Sequence, residues 1–186
     1  IAFGVKNNGF DYFLLFFYSQ VMGVSAALVS AALAIALVFD AISDPLIGYF
    51  SDNTRTRWGR RHPYMYAAAV PVTLCYFFLW NPPDQLSGDE LFPFLVAICI
   101  LVRTLITVYE IPSSALVAEM TDDYDERTSL LSFRYFFGWT GGTVMATVAT
   151  LVLLVPTAAI SDGMFNVAGY HQMGFVAAGF IFVAII

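Results

Sequence analysis

Apolar runs of about twenty residues recur from one end of the chain to the other, broken only by short polar stretches. That pattern leaves the backbone few options. A hydrocarbon interior offers no hydrogen bonds, so a run of this length closes its own N–H and C=O groups by winding into a helix that spans a bilayer. The runs fall at about 3–22, 26–50, 64–81, 92–118, 129–155 and 172–186. Hydrophobic residues make up 59% of the chain and charged ones 12%, where a soluble domain carries about 25% charged residues. The predicted fold class is an all-α membrane protein: one bundle of six helices, with no soluble domain and no low-complexity linker. The sequence opens at Ile1 and is still apolar at Ile186, so the expectation is a piece cut at both ends, its last helix truncated.

The net charge of −6 is confined to a few loops. Four arginines, Arg55, Arg57, Arg60 and Arg61, crowd residues 51–63, whereas 82–91 and 156–171 carry no lysine or arginine. The positive-inside rule then places 51–63 in the cytoplasm and the other two loops outside. Residues 119–128 follow on the cytoplasmic side, and the N-terminus is inside. This single short basic cluster between apolar runs speaks against nucleic acid as a partner. Lipid and a small-molecule solute are the partners expected. The acidic run Asp122, Asp123, Asp125 and Glu126 reads either as a solvated loop or as a latch for the arginine loop. Cys75 and Cys99 lie in apolar runs without zinc or disulfide spacing and read as packing residues. Trp80 closes the third run, as expected of an aromatic interface.

"ALVFDAISDPLIGYF", residues 36–50, embeds Asp40 and Asp44 in apolar surroundings. Each carboxylate near a bilayer midplane costs roughly 2.5–3.5 kcal/mol on an insertion scale. Four residues apart, the two share one helix face. Either the helix ends early and both are interfacial, or they form a cation site. Two hard oxygen ligands suit Na+, and two adjacent like charges also suit the sharing of a proton. Pro45 would loosen the backbone beside them and free carbonyls as further ligands. In the fourth run Arg103, Thr107 and Glu110 lie near one face. Arg103 either snorkels to the outer interface or is buried. Glu110, deeper, reads as an ion partner, a cation ligand or a substrate ligand. Arg134 in the fifth run is a snorkelling end residue, or a buried partner for Glu110 or a substrate hydroxyl. The first run offers Lys6, Asn7, Asn8 and Asp11 beside Phe10, Tyr12 and Phe13, groups that suit sugar hydroxyls and stacking if they face a cavity rather than lipid. Gly138, Gly141 and Gly142 read as close helix packing. No catalytic set and no cofactor beyond a coupling ion are expected.

Taken together, these segments resemble a known family. "GYFSDNTRTRWGRR", with Gly48, Asp52, Gly59, Arg60 and Arg61, resembles the signature loop between helices two and three of the major facilitator superfamily. "DAISDPLIGYFSDNTRTRWGRRHPY", "YEIPSSAL" and "SFRYFFGWTGG" are similar to the glycoside–pentoside–hexuronide:cation symporters. The resemblance implies the N-terminal six-helix bundle of a twelve-helix fold, completed by a C-terminal half, in a bacterial inner membrane. It implies H+- or Na+-coupled symport of a sugar or glycoside by alternating access. Asp40 and Asp44 fall on the family's cation carboxylates, as metal ligands only if Na+ is the coupling ion, and Thr107 on its cation-site hydroxyl. Glu110 replaces an aspartate that touches sugar, and Arg134 falls on a sugar-site arginine. Gly48, Asp52, Gly59, Arg60 and Arg61 form the gating loop. There are departures. Leu37 stands where the melibiose carrier has an arginine, which removes a counter-charge and favours H+. Ser114 replaces a tryptophan that stacks on sugar, and Gly4 a sugar-clasping aspartate, for which Asn8 and Asp11 are the expected substitutes. The alternatives are a carrier of a lipid-like or other amphiphilic solute, and a non-transporting sensor on the same fold.

Overall fold

A computed structural model describes residues 1–157 and 160–186. Helix α1, Ala2–Asn8, runs on through two wider, π-helical stretches, Gly9–Leu14 and Phe17–Val21. It is followed by α2, Ala26–Asn53, and α3, His62–Trp80. Helix α4, Phe92–Met120, is entered through a 3-10 turn, Gly88–Leu91. Helix α5, Tyr124–Val148, continues as a π-helical stretch, Ala149–Leu153, and α6 is Val167–Ile185. The helices from α2 to α6 are long and apolar enough to cross a membrane. The first segment differs in its winding, which alternates between α and π three times.

Local chemistry sets the helix ends. The Ser25 hydroxyl accepts from the Leu28 N–H at the start of α2, and Asn166 accepts from Gly169 at the start of α6. Asp123 accepts from the N–H groups of both Asp125 and Glu126. That cap starts α5 at Tyr124, where the apolar pattern alone suggests a start near 129. The acidic run is therefore split: Asp122 and the cap Asp123 lie in the connection, and Asp125 and Glu126 in the helix. Asp125 and Glu126 occupy the first turn, where the positive end of the helix dipole favours them.

In the packing, α2 lies on α4, α3 on α4 and α6, and α1 on α5 and α6. The α1–α5 approach is close enough to need glycine. A Cβ at Gly4 would overlap the Gly138 carbonyl oxygen, and one at Gly142 would come within 2.6 Å of the Gly4 oxygen. Aromatic side chains fill the core. The Trp80 and Tyr170 rings stack with centroids 6.0 Å apart, and Phe17 packs against both. Trp80 is fully buried, so it is a core residue and not the interfacial anchor its position suggests. Its place at the last turn of α3 faces the inner surface of α6 rather than lipid. Tyrosine hydroxyls tie the helices together: Tyr18 donates to the Leu79 carbonyl at 2.8 Å and Tyr76 to the Val5 carbonyl at 3.2 Å. Cys99 is buried in the same core.

The outer surface carries large apolar side chains, among them Val38, Ile42, Leu46, Trp139, Leu151 and Val183. A soluble protein keeps such patches small. The five spanning helices with this greasy exterior make the chain a multi-pass membrane protein.

Candidate functional site

The charged residues of α2 and α4 meet midway along both helices. Asp40 Oδ2 accepts from Arg103 Nε and lies 2.6 Å from Arg103 Nη2 as well. Both side chains are mostly buried, and the guanidinium also sits 5.7 Å from the centroid of the Phe10 ring. Arg103 does not snorkel. An arginine in the membrane interior is held by a carboxylate in preference to leaving its charge unpaired. The counter-charge that Leu37 does not supply from α2 comes to Asp40 from α4.

The pair is incomplete on the acidic side. Asp40 Oδ1 and Asp44 Oδ1 are both buried and have no hydrogen-bond partner among the described residues. A buried carboxylate oxygen without a partner is costly, and here two belong to side chains one turn apart on one helix.

Asp44 faces an open cavity of about 600 Å³, whose walls also include Thr107, Glu110, Ile111 and Ser114. Three turns of α4 therefore present a hydroxyl, a carboxylate and a second hydroxyl to the aspartate of α2. Glu110 is also part of a second cavity, about 300 Å³, bounded by Phe3, Tyr109, Arg134 and Tyr135. Arg134 donates to Ser113 Oγ at 2.6 Å and to the Glu110 carbonyl oxygen at 3.5 Å. It is tied to the surface of α4 and makes no ion pair with the Glu110 carboxylate among the described residues.

Asn8 and Asp11 are placed elsewhere. They line a separate crevice of about 60 Å³ with Gly4, Asn7, Tyr12 and Trp139. The face that carries them packs towards α5, where the Asn8 amide lies beside Gly142. The glycines that draw α1 and α5 together turn this face away from Glu110 and Asp44. Lys6 on the opposite side of α1 is buried, only 7% exposed. Sequence reading gave it no role beyond a polar position, and its spacing carried no signal of a partner.

At the other end of the bundle, Gly59 adopts φ +88°, a conformation that favours glycine, and closes a turn on Thr56. The turn directs two arginines back to the helices. Arg61, with its side chain 10% exposed, reaches Asp52 Oδ1 at 3.0 Å and Glu119 Oε1 at 3.1 Å. Arg60 reaches the same Glu119 oxygen at 2.7 Å. The arginine loop therefore latches onto the end of α4. Among the described residues Asp122, Asp123, Asp125 and Glu126 supply none of its ion pairs; Asp123 is engaged as a helix cap and Glu126 accepts from the Thr121 hydroxyl. Gly48, on the face of α2 towards α4, has room to spare: a Cβ there would make ordinary contact with Ile111 at 3.8 Å.

Comparison with known proteins agrees with this architecture. An uncharacterized symporter of Synechocystis sp. is 40% identical over 80% of the chain, a match that takes in 28% of that protein. The isoprimeverose transporter of Lactiplantibacillus pentosus is 32% identical over 74% of the chain and 28% of its own length. The sodium-dependent lysophosphatidylcholine symporter 1-A of Danio rerio is 30% identical over 76% of the chain and 27% of its length. The chain thus spans less than a third of each of these relatives. The six helices fit an N-terminal half of a major facilitator fold, and the family described as MFS/sugar transport protein matches residues 1–186 throughout: the chain belongs to that family.

Proposed function

We propose that this chain is the first six-helix bundle of a cation-coupled symporter for a sugar or glycoside. The observation that carries the reading is the pair of unpartnered, buried carboxylate oxygens of Asp40 and Asp44, beside a cavity that Thr107, Glu110 and Ser114 share with Asp44. A Na+ ion or a proton bound there would satisfy both orphan oxygens, with the Thr107 hydroxyl as a further oxygen donor. Glu110, Ser114 and Arg134 are the groups for substrate hydroxyls. Glu110 is common to both cavities, so it is placed to sense cation and substrate together. Asn8 and Asp11, in their own crevice, serve a substrate only if it extends towards α5.

The carrier would be completed by a C-terminal half facing this bundle, with the substrate site between the two and alternating access around it. Residues 51–63 would be cytoplasmic, in a bacterial inner membrane. Gly48, Asp52, Gly59, Arg60 and Arg61, with Glu119 as the shared acceptor, would hold that end of the bundle as one rigid unit.

A lipid-like cargo is the second reading. It is favoured by the aromatic walls that Phe3, Tyr109, Tyr135 and Phe137 give the cavity beside Glu110, and by the likeness to the lysophosphatidylcholine symporter of Danio rerio. Uptake by the full-length protein in proteoliposomes separates the two. A panel of glycosides and a lysophospholipid would each be offered under an imposed Na+ or H+ gradient. Gradient-driven glycoside accumulation is expected. Gradient-driven movement of the lysophospholipid alone would favour the second reading, and binding of either without transport would point to a sensor.

A further inference from the structure

Lys6 is a buried lysine in a membrane helix, and neither of the site's acidic centres pairs with it. Among the described residues it makes no ion pair within 4 Å. Its ammonium instead sits 5.7 Å from the centroid of the Phe3 ring. Phe3 and Phe10 lie one turn to either side of Lys6, on the same helix face. Phe3 forms part of the wall of the cavity that Glu110 and Arg134 share. Phe10 lies beneath the guanidinium of Arg103, which holds Asp40. Lys6 thus occupies the strip of α1 between the cavity of Glu110 and the Arg103–Asp40 pair. An unpaired charge at such depth is expensive and points to a role.

We propose that Lys6 is a specificity-determining counter-charge of the cation site: its fixed ammonium weakens cation binding at Asp40 and Asp44, so that the site releases its ion instead of trapping it. The idea rests on the cation-coupled reading above. The side-chain cations of this region are Lys6, Arg103 and Arg134, against the carboxylates Asp40, Asp44 and Glu110 and, on Lys6's own segment, Asp11. Arg103 is engaged with Asp40, and Arg134 is tied to Ser113 and the α4 backbone. Lys6 is the cation left to act at a distance on an incoming ion, and Glu110 is the carboxylate that partly offsets it.

A carbodiimide reports on this without knowledge of the substrate, because dicyclohexylcarbodiimide attacks protonated buried carboxyls and a bound cation protects them. The full-length protein in proteoliposomes would be labelled across a pH series and an NaCl series. Modification of the peptide holding Asp40 and Asp44 would be read by mass spectrometry. Lys6→Met should shift both midpoints, to about ten-fold lower H+ and Na+ concentration. That is the scale of one unit charge acting over about 12 Å at an effective dielectric of about 20. Lys6→Arg should keep the wild-type midpoints. If Lys6→Met fails to insert, Lys6→Met/Glu110→Gln keeps the charge balance. It should bind the cation more tightly than Glu110→Gln alone. Unchanged midpoints in Lys6→Met, or a double variant no tighter than Glu110→Gln, overturn the proposal and leave cation coupling standing. Wild-type labelling that neither H+ nor Na+ controls overturns the coupled reading, and Lys6's role with it.

Discussion

Arg103 on α4 closes on a single oxygen of Asp40 on α2, Nε donating at 2.6 Å, and leaves the other oxygen of that carboxylate buried without a partner. The contact joins the two helices midway along their length and at the same time leaves one carboxylate oxygen open for the proposed ligand set. In the proposed cation site, structural pairing and cation binding would fall on different oxygens of the same side chain.

Removing one member of this pair strands the other. Arg103→Ala should lower stability by about 3–5 kcal/mol, the scale for breaking a buried ion pair from one side. The double change Arg103→Ala/Asp40→Ala should recover part of that loss, since no charge is then left over. Thermal unfolding of the detergent-purified protein checks both, and additive losses would mean the two residues do not act as a pair.

The α1–α5 contact makes a steric prediction. Gly4→Ala places a methyl group on the Gly138 carbonyl and should cost about 1–3 kcal/mol through overpacking. Gly179→Ala meets nothing within 4 Å, and with the lower backbone entropy of alanine it should be neutral or slightly stabilising. Melting curves of the two variants, followed by size-exclusion fluorescence, would show the contrast.

In the arginine loop, burial separates two neighbouring residues that share an acceptor. Arg61, nearly buried and bonded to both Asp52 and Glu119, should lose about 1.5–3 kcal/mol on change to alanine, as for a hydrogen bond to a charged group. Arg60, 52% exposed, should lose about 0–1 kcal/mol. Denaturant titration of both variants would rank them, and raised salt should erode the Arg60 contribution first.

Glu110 is the proposed substrate carboxylate, so Glu110→Gln should raise the KM of uptake roughly ten- to hundred-fold, the range of a lost charge-assisted hydrogen bond. Uptake kinetics across substrate concentration would test it. An unchanged KM would leave Glu110 with a role towards the cation alone.

The sequence made some of this legible and hid the rest for identifiable reasons. Apolar run length located the six helices, because in hydrocarbon the backbone alone decides the element. Helical spacing puts Asp44 on one face with Asp40, and Thr107 on one face with Glu110; Ser114 stands out only through the family resemblance, and the fold brings Asp44, Thr107, Glu110 and Ser114 to one cavity. Contacts between helices were not legible, since Arg103 and Asp40 are separated by 63 positions and no local period links them. The face of α1 was misread for the same reason: Gly4, Gly138 and Gly142 decide that Asn8 turns towards α5, and a helix read alone does not show which neighbour comes close. Glu119 escaped notice because it adjoins an acidic run whose charge looked like the better partner. Only the cap at Asp123 shows that the run is occupied.

The account stands or falls on Asp44. Asp44 lines the cavity and keeps a buried carboxylate oxygen that no arginine claims among the described residues, and Asp44→Asn keeps its shape while removing its charge. The decisive measurement is uphill uptake of a glycoside by the full-length protein in proteoliposomes under an imposed Na+ or H+ gradient. The wild type is predicted to accumulate substrate against its gradient, and Asp44→Asn only to equilibrate it. Accumulation in Asp44→Asn equal to that of the wild type would contradict the assignment of the cation site.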